Sequence, residues 1–274
     1  MLMKTISKPA TILALAVALS AGAASAQEAG GYWQKVQSAG KLRCGAAVAP
    51  PYVMRDPATG EYSGFYADLC REFAAVLEVQ PEFVDTTWDN IVAGLQAGKW
   101  DMSLALNRTP VRAMAVQFSI PAMEYQISLV YNKDNPKIPA NPVSVADVDV
   151  AGVTMAVMSG TAQDKAISAA VKNATILRLP SADETRLAVQ SRRADILVDA
   201  SDTNLLFTQA NDWAVALNPE PALAKQGVSF GLPLSLRASD VAVVDIFLEE
   251  RVATGAVDAL ISKAADEVLA AAGN

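Results

Sequence analysis

The sequence predicts an α/β protein of two doubly wound lobes joined by a two-strand hinge, and three observations carry that prediction. Strand-like and helix-like periods alternate from residue 41 to 118, the pattern of parallel strands with crossover helices. A proline-rich, aperiodic stretch, Asn132 to Pro142, interrupts the alternation, which then resumes. A late strand, Gly227 to Leu234, is followed by only two helical segments, so it returns to the first lobe. The expected division is 27–131 with 225–274 for one lobe and 132–224 for the other. The crossings are expected near Leu129 to Tyr131 and Ser229 to Leu232. Two crossings make a hinge, and a site between the lobes closes as a clamp.

The elements follow in order. A short helix over Tyr32 to Ser38 leads into a strand over Lys41 to Val48, which Pro50-Pro51 ends, presenting Tyr52 in an extended loop. Asp56 to Gly64 carries turn residues and reads as a hairpin tip. Phe65, Leu69, Phe73, Val76 and Leu77 recur at helical spacing, with Asp68, Arg71 and Glu72 opposite, an amphipathic helix on a sheet. Pro81 to Val84 returns as a strand. Thr86 or Thr87 then caps a helix through Ile91, Val92 and Leu95, closed by Gly98. In Asp101 to Leu106 the alternation has period 2, a strand with two faces.

After the boundary, Val150 to Val157 reads as a strand, and Ser159-Gly160-Thr161 turns it into a helix to about Val171. Thr175 to Leu179 is the next strand. Ser181 with Glu184 forms a capping box for a helix through Gln190. Ile196 to Val198 is a short buried strand ending in Asp199, with Ser201 and Asp202 available to cap a helix near Thr203 to Asn211. Helices over Asp240 to Ala253 and Val257 to about Ala271 close the chain.

Ligands of such sheets collect at the carboxyl ends of the strands. Tyr52, Trp88 and Arg112 each follow such an end. Thr109 is an N-cap, Pro110 suits the first helical position, and Arg112 falls in the first turn. A cation there opposes the helix dipole, which is explained if an anion sits between guanidinium and backbone, although pairing with a surface acid would serve as well. Ser159-Gly160-Thr161 offers a second anion-binding corner or an ordinary cap. Asp199 is a candidate ammonium ligand or a second cap.

Composition narrows the partners. Lys4 and Lys8 precede an apolar stretch from Ala10 to Leu19, and Ala24-Ser25-Ala26 suits signal-peptidase cleavage, so residues 1–26 read as a signal peptide of an exported, periplasmic protein. The apolar core is shorter than a bilayer span of about 20 residues. Removing it leaves 20 basic against 29 acidic residues, a net charge of −9, which argues against nucleic acid. Histidine is absent and cysteine is limited to Cys44 and Cys70, so no metal site or cofactor is read. The two cysteines are expected as buried thiols, with a disulfide as the alternative.

Several motifs run in a fixed order: Gly40 to Gly45, Pro50-Pro51-Tyr52, Gly60 to Leu69, Thr87 to Asn90, Leu95 to Asp101, Thr109-Pro110-Val111-Arg112, Phe118-Ser119, Ser159-Gly160-Thr161 and Thr254 to Asp258. In that order and spacing the mature chain resembles the periplasmic solute-binding proteins of the polar amino acid family, the extracellular component of ABC importers. The resemblance implies a type II periplasmic binding fold and a monomer that binds a small carboxylate-bearing solute, most simply an amino acid, and serves a membrane permease. It implies that Tyr52 and Trp88 flank the ligand side chain and that Arg112 holds the α-carboxylate. Thr161 adds donors from the second lobe, and Asp199 takes the ammonium, with Asp202 competing. Atoms near Ala105 and Asn107 complete the carboxylate cradle.

The chain departs from the family pattern at Ala105-Leu106-Asn107-Arg108, which removes hydroxyls and adds a second cation. It departs again at Ile120 to Met123, and in the spacing of Asp199 from Asp195. These departures admit an acidic side chain, or a carboxylate that is not an amino acid. Cyclohexadienyl dehydratases share the fold and are similar over Asp56 to Phe65 and Arg193-Ala194-Asp195. Their glutamate before the returning strand has no acid to match it in Lys225 to Val228, so no catalysis is expected.

Overall fold

In the computed structural model of the protein, which describes Met1 and residues 31–272, helices and strands alternate along the chain. The expected signal peptide and its cleavage site lie, Met1 apart, outside the described residues. Helix α1 (Tyr32–Ala39) leads into strand β1 (Lys41–Ala47), and β2 (Met54–Arg55) and β3 (Tyr62–Ser63) form the expected hairpin. There follow α2 (Phe65–Val76), β4 (Gln80–Thr86), α3 (Ile91–Gln96), β5 (Met102–Asn107), α4 (Pro110–Ala113), β6 (Val116–Phe118) and β7 (Met123–Asn132). The next run is α5 (Val145–Val148), β8 (Thr154–Met158), α6 (Ala162–Ala170), β9 (Thr175–Leu179), α7 (Ala182–Gln190), β10 (Ile196–Ala200), α8 (Ser201–Gln209) and β11 (Ala214–Leu217). Strand β12 (Lys225–Pro233) and helices α9 (Ala238–Ala253) and α10 (Ala256–Ala272) complete it. None of the described helices is long and apolar enough to cross a membrane.

The main path of the sheet runs β4-β1-β5-β12-β7-β10-β8-β9. Strands β4, β1 and β5 are parallel, with the first strand of the unit in the middle, and β9, β8 and β10 repeat that arrangement. Each half therefore has its own topological switch point, between β1 and β5 and between β8 and β10, where a crevice opens at the carboxyl ends of the strands. The halves meet on β7. Its residues Met123 to Gln126 pair antiparallel with β12, and Ile127 to Tyr131 pair with β10.

That exchange of partners falls a few residues before the expected crossing at Leu129 to Tyr131. Ser229 to Leu232 lie wholly beside β5 and β6, the returning crossing having been made by Lys225. The cause is visible in β7, where Tyr125, Ile127, Leu129 and Tyr131 are all buried. An apolar period that runs unbroken through the junction carries no mark of where the partner changes.

Phe65, Leu69 and Phe73 of α2 are fully buried, as the helical period requires. Cys70 lies beside that stripe and faces β1, and the two cysteines, expected as thiols, are joined in a Cys44–Cys70 disulfide. Other local differences have local causes. Strand β8 begins at Thr154 because Ser144 supplies a capping box for α5 and Gly152, at φ 88°, turns the chain into the strand. Helix α3 is entered through Asn90, whose side chain bonds to Thr87. Helix α8 begins directly at Ser201 with no side-chain cap, which leaves the Asp202 carboxylate for another partner.

Candidate functional site

A cleft opens where both switch points face each other. From the first half come Ala49, Pro50 and Tyr52 after β1, Trp88 after β4, Ala105 and Asn107 at the end of β5, Tyr125 of β7 and Val228 of β12. From the second come Met158 and Thr161 after β8, Gln163 of α6, Ala182 of α7, Asp199 of β10 and Thr203 of α8. The structure thus gathers six of the seven candidates, Tyr52, Trp88, Ala105, Asn107, Thr161 and Asp199, on one cleft wall or the other. Arg112 sits one layer behind, its Nη1 donating to the Asn107 carbonyl and its Nη2 to the Gly160 carbonyl, each at 3.4 Å.

Arg112 is the unusual member. It is 4% exposed, and among the described residues no carboxylate lies within ion-pair distance of it. Burial pulls its pKa down to about 10, which still leaves it charged at neutral pH. The expectation that a helix N-terminus shares the anion needs correction. Helix α4 is a single turn, and the Arg112 N–H already donates to the Thr109 hydroxyl at 3.2 Å. What remains is a buried guanidinium held, among the described residues, only by two long bonds to carbonyls. An isolated buried cation is costly, so the geometry is that of a half-made anion site.

Strand β5 bends ahead of it. Ser229 pairs with Leu106 and Gly231 with Ser103, so Leu104 and Ala105 together oppose the single residue Phe230. This is a β-bulge, and Ala105 occupies it with φ 53°, a region an L side chain rarely adopts. The bulge re-aims the end of the strand, so that Ala105 and Asn107 both line the cleft. The Asn107 amide donates to the Tyr125 hydroxyl at 2.5 Å. The second cation, Arg108, is exposed and does not line the cleft.

Across the cleft, Thr161 caps α6. Its hydroxyl accepts from the Asp164 N–H at 3.1 Å and donates to the Met158 carbonyl at 2.8 Å, so what the turn offers the cleft is backbone. Asp199 Oδ1 accepts from the Ala200 N–H at 2.8 Å and from the Gln163 amide at 3.2 Å. Burial pushes the Asp199 carboxyl above its ordinary value, and the nearby charge of Arg186 opposes the rise. Asp202 is not a cap. Both its oxygens lie 2.7 Å from the Tyr52 hydroxyl, which donates to them from the other half, and burial raises its pKa too.

Three more contacts join the halves. Ser159 Oγ donates to Asp89 at 3.1 Å, Thr203 Oγ1 to the Pro50 carbonyl at 3.5 Å, and Arg112 to Gly160. Gly160 has φ 74°, and a Cβ there would meet Asp89 Oδ1 at 2.4 Å, so the close approach needs glycine. Sequence reasoning missed Gln163, Tyr125 and Met158. Tyr125 alternates with Ile127 like any core strand residue, and Met158 ends an apolar run. Only Gln163, in the first turn beside the Thr161 cap, carried a signal.

The model of the bacterial extracellular solute-binding proteins, family 3, matches residues 42–268. The "Probable amino-acid ABC transporter periplasmic-binding protein" of Sinorhizobium fredii is 32% identical over 201 residues, 71% of this chain and 65% of that relative, just under two thirds of its length. The "Probable histidine-binding protein" of Campylobacter jejuni is 25% identical over 73% of this chain and 76% of its own. Among solved structures, the ancestral amino acid-binding protein AncCDT-1, described as a precursor of cyclohexadienyl dehydratase, is 28% identical with a TM-score of 0.76, covering 84% of this chain and 98% of that one. A mutant of ArgBP from T. maritima is 27% identical with a TM-score of 0.74, covering 84% and 97%.

Proposed function

The chain belongs to the bacterial extracellular solute-binding proteins of family 3, and from that membership we propose that it captures an amino acid between two lobes and delivers it to an ABC-type permease. The carrying observation is the buried, unpaired Arg112 on one side of a cleft whose other side presents Asp199. A zwitterion supplies the anion that Arg112 lacks and a cationic donor for Oδ2 of Asp199. Its carboxylate reaches Arg112 and the backbone near Ala105, Asn107 and Thr161, and its ammonium reaches Asp199. Closure then brings Asp202 to Tyr52 and Asp89 to Ser159, and shedding water strengthens the charge-assisted contacts.

The same reading takes residues 1–26 as a cleaved signal peptide and the mature protein as a periplasmic monomer. Its lobes are 27–131 with 225–274, and 132–224. It assigns no catalytic residue and no cofactor, so binding and release are the whole cycle.

The test is thermal shift and calorimetry on protein unfolded and refolded to strip carried-over ligand, screened against amino acids and small carboxylates. A ligand at 100 times its dissociation constant adds about 2.7 kcal/mol to stability. Binding of an amino acid supports the reading, and a screen with hits only among carboxylates lacking an ammonium group removes Asp199 from its role. Phenylpyruvate or phenylalanine formed from prephenate or arogenate would overturn the binding-only assignment.

A further inference from the structure

Resting on the amino-acid reading of the cleft, we infer that the ligand is an α-amino acid with an uncharged side chain, its ammonium shared between Asp199 and a second acceptor, Gln163 Oε1. Most charged groups around the cleft are already engaged. Asp202 takes the single hydrogen of the Tyr52 hydroxyl, shared between its two oxygens, and does not line the cleft. Asp199 keeps only Oδ2 for a ligand, since Oδ1 takes two protein donors. Arg112 lies one layer behind the lining, Arg108 is exposed, and Arg186, whose charge acts on Asp199, does not line the cleft, so none of the described lining residues is a cation.

Once an α-carboxylate is assigned to Arg112 and an α-ammonium to Asp199, no charged group remains among the lining residues for the side chain. The rest of the lining is Trp88, Met158, Ala182 and Val228, with the hydroxyls of Tyr125 and Thr203. A lysine or arginine side chain would bring a cation with no acid to meet it, and glutamate or aspartate an anion with no base. Either carries an uncompensated charge out of water, which costs several kcal/mol. The acidic side chain admitted by the departures around Asn107 and Arg108 is disfavoured for the same reason.

Gln163 presents the second acceptor. Its Nε2 is committed to Asp199, which fixes the amide so that Oε1 is buried with no hydrogen-bond partner. A buried acceptor without a donor is uncommon and costs about 1–3 kcal/mol. An ammonium group bound at Asp199 has further N–H donors, and Gln163 is bonded to that same carboxylate and lines the same cleft.

The experiment is calorimetry on the refolded full-length mature protein with L-leucine, L-methionine, L-glutamine, L-arginine, L-lysine, L-glutamate and L-aspartate. At least one uncharged amino acid is expected to bind about 100-fold more tightly than each charged one. A charged amino acid binding as tightly as the best uncharged one overturns the inference and leaves the amino-acid reading standing. Binding of none of these overturns both.

The role of Gln163 is read from Gln163→Met with two probes, the best amino acid and the 2-hydroxy acid of the same skeleton. Affinity for the amino acid is expected to fall about tenfold more than affinity for the hydroxy acid. An equal fall for both, or no fall, overturns the Gln163 assignment.

Discussion

The two ends of β5 carry the same kind of residue in opposite circumstances. Before the strand, Asp101 takes Arg43 through Nε at 3.1 Å and Nη2 at 2.7 Å, accepts the Arg43 N–H at 2.8 Å, and receives the Tyr32 hydroxyl. The Arg43 Nη1 donates to the carbonyls of Gly98 and Lys99. After the strand, Arg112 is more deeply buried and has only two 3.4 Å bonds to carbonyls. The strand backbone follows suit, regular where it pairs with β1 and bulged at Ala105. A satisfied charge at the amino end fixes the sheet, and on the proposed reading the one at the carboxyl end is left for a ligand that comes and goes.

The sharpest way to break the comparison is Arg112→Ala. If the guanidinium serves a ligand, affinity for the bound amino acid should fall about 1000-fold, some 4 kcal/mol, by calorimetry. The melting temperature of the ligand-free protein should hold or rise, because a buried unpaired charge has been removed. Wild-type affinity in that variant would sink the site.

At the other end of β5 the signature should invert. Asp101→Ala strands Arg43 and the Tyr32 hydroxyl, and denaturant unfolding should show a loss of about 3 kcal/mol with affinity unchanged. Reduction of the Cys44–Cys70 disulfide, which links β1 to α2 below the same end, should cost a similar amount, about 3 kcal/mol, and likewise spare binding. A large affinity change from either would mean that the two ends are coupled.

A pH series sharpens the contrast across the cleft. Burial raises the folded-state pKa of Asp199 and of Asp202 above the ordinary 3.8, so between that value and the raised ones the native state holds more protons than the unfolded chain. Their contribution to stability is present in acid and is lost as pH rises through the folded pKa values. Asp56, Asp147, Asp149, Asp195 and Asp240 are lowered by hydrogen bonds and oppose this, so the comparison is wild type against Asp199→Asn. On acidification from neutral pH toward the ordinary carboxylate value of 3.8, wild-type stability should improve relative to the variant, while wild-type affinity for an amino acid falls as Asp199 takes up a proton.

How much was legible follows the same division. The alternation of Met102, Leu104 and Leu106, the Thr109 cap and the turn at Thr161 are local, and local patterns expose them. The bulge is not local. Ala105 takes φ 53° because Phe230, 125 positions away, is the lone partner of two residues. The handover along β7, the short strands β6 and β11, and the use of Asp202 by Tyr52 share that character. Each is decided by what a distant segment places alongside, and an apolar or acidic residue reads the same with or without it. The disulfide was ambiguous for the same reason, since helix period puts Cys70 near β1 but does not set its direction.

The smallest effect expected tests how the cleft stays shut. The Tyr52 ring packs against Phe65 at 5.3 Å and Tyr125 at 6.3 Å, so Tyr52→Phe keeps the packing and removes only the hydroxyl that Asp202 accepts. In an open protein that carboxylate is hydrated and loses nothing. In the closed one it is buried without its donor, so the whole penalty falls on closure. Affinity should therefore drop about fivefold, near 1 kcal/mol, through faster ligand release seen in stopped-flow, with the association rate and the ligand-free melting temperature unchanged. A loss of melting temperature instead would place Tyr52 with Arg43 and Asp101 among the groups that hold the fold, and would leave the Ser159–Asp89, Thr203–Pro50 and Arg112–Gly160 contacts to hold the cleft closed.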